Sequence, residues 1–93
     1  MKSYKKVILN NICYTELVYE RINKKLNLEL SKLQIETFIY TVISGTDESE
    51  FHKKGKNVYI TNSERNIRLT INSYTNRIIT ADKLNKQHTA IIV

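Results

Sequence analysis

The chain has 93 residues, 41% of them apolar and 26% charged, with two glycines, one cysteine and no proline. That is one domain's worth of sequence, and its composition excludes a disordered, collagenous or disulfide-framed chain. Fifteen Lys/Arg against nine Asp/Glu give a net charge of +6, which favours phosphate-bearing partners or acidic protein surfaces.

The charge is unevenly placed. Residues 1–30 carry +3, residues 31–51 carry −3 and residues 52–88 carry +6. The N-terminus has the basic start of a signal peptide, but only Val7, Ile8 and Leu9 follow before Asn10, and no run of 18 apolar residues occurs. Neither secretion by that route nor a membrane span is expected, and with no disulfide partner for Cys13 the reading is cytoplasmic.

In chain order, Val18, Ile22 and Leu26 recur every fourth residue and predict a first helix over 14–27, with Thr15 or Asn11 as its cap. Ile8 and Ile12 belong to a preceding turn or to a longer helix. Ser31 with Gln34 has the spacing of a capping box, with Leu30 and Ile35 as a hydrophobic staple. It opens a second helix over 32–43, whose Ile35, Phe38, Ile39, Val42 and Ile43 form one stripe before Gly45. Cys13 is expected to be a small buried residue near the first helix.

After residue 50 the apolar period changes to two. Phe51–Lys53 reads as a short leading strand turned at Lys54-Gly55-Lys56-Asn57, followed by Val58–Thr61, Ile67–Asn72 and Arg77–Ala81 as strands. Thr89–Val93 is either an edge strand or a tail packed on the sheet. One sheet face would carry Val58, Ile60, Ile67, Leu69 and Ile71 against the helices. The other would display Tyr59, Thr61, Arg68, Thr70 and Asn72 if no bulge intervenes. The fold class is therefore α+β, with two N-terminal helices (14–44) on one face of a three- to five-stranded antiparallel sheet (50–93), forming a single domain over 1–93.

No nucleotide loop or metal motif occurs, so neither cofactor nor metal is expected; Cys13, His52 and His88 lack ligand spacing, and Asp47, Glu48 and Glu50 do not make a calcium loop. The binding candidates are Lys53, Lys54 and Lys56 around Gly55, with Arg68 and Arg77 as further cations and Tyr59 and Tyr74 as stacking surfaces. A metal-independent ribonuclease needs an acid/base and phosphate-stabilising cations. His52 is the acid/base candidate, and Lys53, Lys54, Lys56, Arg68 and Arg77 are the cations available for it.

Several segments carry a resemblance. Thr15-Glu16-Leu17, Lys54-Gly55-Lys56-Asn57-x-Tyr59 and Ile78-Ile79-Thr80-Ala81-x-Lys83 resemble a family of small bacterial proteins filed as a domain of unknown function, over roughly residues 13–84. Asp82 stands where that family tends to have histidine, and Asn76-Arg77 looks like an insertion. A remoter likeness, through His52, Lys54, Arg68 and Thr80, is to barnase-like and RelE-like ribonuclease toxins, and implies RNA cleavage. The leading expectation is a non-enzymatic basic binding protein, such as a phage or mobile-element inhibitor of a host nuclease or ribonucleoprotein. Its partner would be an acidic protein surface, a ribonucleoprotein or nucleic acid. The alternatives are a metal-independent endoribonuclease or toxin-like RNA-binding protein, and a structural or homo-oligomerisation module.

Overall fold

A computed structural model describes residues 4–84, and the segment 89–93 considered above lies outside them. Three helices precede a four-stranded antiparallel sheet: α1 (Tyr4–Asn11), α2 (Glu16–Leu26), α3 (Lys32–Ser44), β1 (Phe51–Lys54), β2 (Asn57–Asn62), β3 (Ile67–Asn72) and β4 (Ile78–Lys83). The α+β class is as read from the sequence; the helix count is three, not two. Ile8 lies in α1 and is 2% exposed, so the segment left between a turn and a longer helix is a separate helix that buries one isoleucine.

Helix α2 begins after Thr15, whose backbone is extended but whose hydroxyl makes no capping bond. It ends in a Schellman-type stop: Asn27 is left-handed (φ 57°), its N–H donates to the Lys24 carbonyl at 3.3 Å, and the Leu28 N–H donates to the Asn23 carbonyl at 2.8 Å. Asparagine tolerates that conformation where most residues do not. The Asn23 side chain then ties down the link to α3, accepting from the Leu30 N–H and donating to the Leu30 carbonyl, both at 3.0 Å.

Helix α3 opens with the expected reciprocal cap. The Gln34 N–H donates to Ser31 Oγ at 3.2 Å, and the Ser31 N–H donates to Gln34 Oε1 at 2.9 Å. The helix closes before Gly45, whose φ of −86° is accessible to any residue. A Cβ there would meet the Thr41 carbonyl at 3.3 Å, so glycine serves for room, not for φ.

The strands run β1-β2-β3-β4 across the sheet, each antiparallel to the next. Buried Val58, Ile60, Ile67, Leu69, Ile71, Ile78 and Ala81 meet buried residues of all three helices in a single core made mostly of isoleucine. Within α3, Ile35, Ile39, Val42 and Ile43 are fully buried, whereas Phe38 is only half-buried at the edge of the core. The α3 stripe expected from the sequence therefore centres on Ile39, and Phe38 is displaced from it.

The two sheet edges are treated differently. β4 is covered: Cys13 bridges to Arg77, the Arg21 guanidinium donates to the Ile79 carbonyl at 3.2 Å, and Lys25 pairs with Asp82 at 2.8 Å. Among the described residues β1 has no neighbour on its outer side, and it presents His52, Lys53 and Lys54 to solvent. Lysines on an unpaired edge discourage sheet-to-sheet aggregation.

Candidate functional site

The β1–β2 connection is two residues long, since Lys54 pairs directly with Asn57. Gly55 has φ +64° and Lys56 does not have positive φ, the pattern of a type II′ hairpin, which requires glycine at its first central position. Nothing lies within 4 Å of where a Gly55 Cβ would be, so the conformation and not crowding selects glycine. The turn holds Lys53, Lys54 and Lys56 exposed, with the Lys53 ammonium folded over the Gly55 carbonyl at 2.7 Å.

The β3–β4 connection lies beside it, because Asn57 pairs with Asn72. Asn72 Oδ1 accepts the Tyr74 and Thr75 N–H groups at 2.8 and 3.1 Å, which organises this turn from its first residue. The Ser73 N–H and hydroxyl both donate to the Lys56 carbonyl, at 2.8 and 2.9 Å, and stitch the two turns together. A third segment joins them: the Cys13 N–H donates to the Asn76 carbonyl at 2.9 Å, and the Ile78 N–H donates to the Cys13 carbonyl at 3.0 Å. Cys13 is exposed, not buried as expected, because its backbone is committed to covering β4 at the domain surface.

Three chain segments thus place Lys53, Lys54, Lys56, Tyr74 and Arg77 at one end of the sheet. Tyr74 is 76% exposed there. No acidic residue occurs between 51 and 57 or between 65 and 81, so neither strand end supplies a countercharge.

Tyr59 and Arg68 lie together, but elsewhere. They occupy the sheet face opposite the core, with the Arg68 guanidinium 5.9 Å from the Tyr59 ring centroid. Arg68 is paired across the ladder with Asp82, so its surroundings are less positive than the turns. The face is interrupted in β4, where the register shifts between Thr70 and Ile71 and Ile79 is the extra residue. Thr70 in a central strand is buried, at 8% exposure, although it lies on the face expected to be displayed.

The four residues considered for ribonuclease chemistry are not brought around one group. His52, Tyr59, Thr70 and Thr80 form one row across four strands. With strands about 4.8 Å apart, His52 and Thr80 are separated by roughly 14 Å of sheet. Lys54 and Arg68 lie on opposite sides of that row. The Thr80 hydroxyl is closed from solvent and has no hydrogen-bond partner among the described residues.

Two polar clusters escaped the sequence reading. Tyr14 and Tyr19 stack at 5.5 Å between ring centroids, the Tyr19 hydroxyl donates to Glu36 at 2.6 Å, and the Lys32 ammonium sits 5.4 Å from the Tyr19 ring centroid. The bond to Glu36, followed by burial, pushes the Tyr19 pKa up to about 12; burial followed by the Glu36 charge raises that of Tyr14. The Tyr19 hydroxyl thus joins α2 to α3, and Tyr14 packs against its ring. At the other end of the sheet, Asp47 accepts from the Ser49 hydroxyl and N–H, which lowers its pKa. The acidic segment thus caps a 3-10 turn (Glu48–Glu50), and no group of three or more metal-ligating side chains occurs among the described residues.

A family model described as "Protein of unknown function (DUF3781)" matches residues 6–82. It extends the resemblance read over 13–84 into α1. No curated protein and no solved structure matches the chain, and the likeness to ribonuclease toxins finds no support among these comparisons. Among the described residues no helix is long and apolar enough to cross a membrane. The chain belongs to the DUF3781 family.

Proposed function

We propose that this member of the family is a non-enzymatic binding protein that takes a polyanionic partner at its turn end, with single-stranded nucleic acid the partner best suited to the surface. One observation carries the reading: the stitched β1–β2 and β3–β4 turns present Lys53, Lys54, Lys56 and Arg77 at the same end of the sheet as an exposed Tyr74, with no acidic residue in either turn. Cations neutralise backbone phosphates with release of counterions, and an exposed aromatic ring stacks on any base. The hydrogen bonds between the turns preorganise the surface and reduce the ordering cost of association.

An acidic protein face would read the same cations but would gain little from Tyr74. That is the form the reading takes if the protein inhibits a host nuclease or ribonucleoprotein. Catalysis is the weaker reading, because His52 and Lys54 on β1, Arg68 on β3 and Thr80 on β4 are spread across the sheet and His52 has no orienting hydrogen bond among the described residues.

Fluorescence anisotropy with a labelled single-stranded oligonucleotide, repeated across salt concentrations, tests this. Affinity should fall steadily with salt, and Lys53→Glu/Lys54→Glu/Lys56→Glu should abolish binding while leaving the fold intact. Tyr74→Ala should cost about 1–3 kcal/mol of binding. Salt-independent affinity, or binding undiminished by the charge reversal, would contradict the proposal. Salt-dependent loss on charge reversal with no effect of Tyr74→Ala would shift the partner to an acidic protein face. Oligonucleotide cleavage that copurifies with the chain and is lost in folded His52→Ala would make it an enzyme.

A further inference from the structure

A groove at the opposite end of the sheet takes no part in that reading. It has a volume of about 420 Å³ and is lined by Leu26, Leu28, Phe38, Ile67, Arg65, Asn66 and Lys83. Leu26 and Ile67 are buried, whereas Leu28 and Phe38 are half-buried. The Phe38 ring, displaced from the centre of the core, lines this groove instead.

Two cations accompany the apolar surface. Ile67 pairs with Lys83 across the β3–β4 ladder, and the Leu84 N–H donates to the Asn66 carbonyl at 2.9 Å, which fixes the end of β4 beside the β2–β3 turn. Arg65 is anchored through its backbone, its N–H donating to Asn62 Oδ1 at 2.9 Å, so its guanidinium is not consumed in holding the turn. Neither Arg65 nor Lys83 makes an ion pair with a described residue, and no acidic side chain lines the groove.

We infer that this groove binds a small amphiphilic anion, with an apolar chain laid against Leu26, Leu28, Phe38 and Ile67 and a single carboxylate or phosphate head held by Arg65 and Lys83. Charge complementarity selects the head: two cations with no ion-pair partner among the described residues, set beside apolar side chains, favour an anion over a neutral or cationic group. The apolar lining selects the chain, since a nucleic-acid strand would leave the leucines without apolar surface to cover. The volume lies within the range of about 300–1,000 Å³ usual for small-molecule sites.

The test titrates the full 93-residue chain with decanoate, decyl phosphate, decanol and decyltrimethylammonium, each below its aggregation threshold. Calorimetry gives affinity and methyl NMR gives location. Decanoate or decyl phosphate should bind saturably and shift the methyl signals of Leu26, Leu28 and Ile67; whichever binds more tightly identifies the head. Arg65→Glu and Lys83→Glu, both at exposed side chains, should each weaken that binding by about tenfold or more. Decyltrimethylammonium should not bind. Decanol binding as tightly as the anions, methyl shifts confined to other residues, or no saturable binding of either anion would overturn the inference.

Discussion

The two ends of the sheet use polar residues in opposite ways. At the end carrying residues 46–50 and 62–66, polar groups are spent on one another: the Thr46 hydroxyl donates to the Val42 carbonyl at 2.7 Å, Asn62 Nδ2 donates to Thr46 Oγ1 at 2.9 Å, and Asn62 Oδ1 accepts the Arg65 N–H. At the turn end the backbone is equally well bonded, but the side chains of Lys54, Lys56, Tyr74 and Arg77 are left facing solvent. The difference separates polar groups that hold the fold from polar groups that the fold merely presents. Substitutions at Thr46 and Asn62 should cost stability, and substitutions of the turn-end lysines, Tyr74 and Arg77 should cost binding.

The largest stability loss is expected from neither end but from the core between them. Ile39→Ala removes a side chain with 0% exposure and should cost about 2–5 kcal/mol in denaturant melts. Phe38→Ala should cost clearly less, although phenylalanine is the larger residue, because its side chain is only partly buried, along the groove. Equal losses would place Phe38 back in the core and close the groove.

Next comes Asn62→Ala, which should cost about 1–3 kcal/mol, since it strips a partner from buried Thr46 and from the Arg65 N–H. A loss below about 0.5 kcal/mol would remove the structural role assigned to this end. Gly55→Ala should cost about 1 kcal/mol through the positive φ alone, there being open space for the methyl group. The charge reversal at Lys53, Lys54 and Lys56 should change stability least, by about 0.5 kcal/mol or less per residue, despite its effect on binding.

The helix pair adds a pH-dependent signature. The Tyr19 pKa is raised in the folded state, from 10.0 to about 12, by its bond to Glu36. A raised pKa gives stability that is complete below pH 10 and is lost as the pH climbs toward 12. Chemical melts across that window should show a steeper loss for the wild type than for Tyr19→Phe. Parallel curves would show that the phenol–carboxylate bond does not contribute to joining α2 and α3.

Most of the secondary structure was legible because it rests on short-range signals. The Ser31/Gln34 box, the glycine between lysines at 54–56 and the period-two runs each encode their element within a few residues. α1 was obscure because an eight-residue helix with one fully buried side chain leaves hardly any periodic trace. Phe38 was misplaced because several α3 apolar residues share a broad stripe, and only the position of the sheet decides which of them are covered. Cys13 was misread for a related reason: its bridge to Arg77 joins residues 64 positions apart, which no local pattern announces.

The binding candidates divide along the same line. Lys53, Lys54 and Lys56 were visible as a basic turn, whereas their union with Tyr74 and Arg77 depends on the Asn57–Asn72 register and the bonds from Ser73 to Lys56. Tyr59 and Arg68 were grouped with them by composition, yet the sheet sets them in the middle of a face, opposite Asp82.

Amide NMR shift mapping of the isotope-labelled chain during titration with single-stranded RNA tests the central claim most directly. The account predicts progressive shifts confined to the two turns, residues 53–57 and 73–77, and to the Cys13 segment bonded to them, all reversed by added salt. Shifts centred on residues 46–50 and 62–66, or no shifts at concentrations where RNA and protein associate, would contradict it.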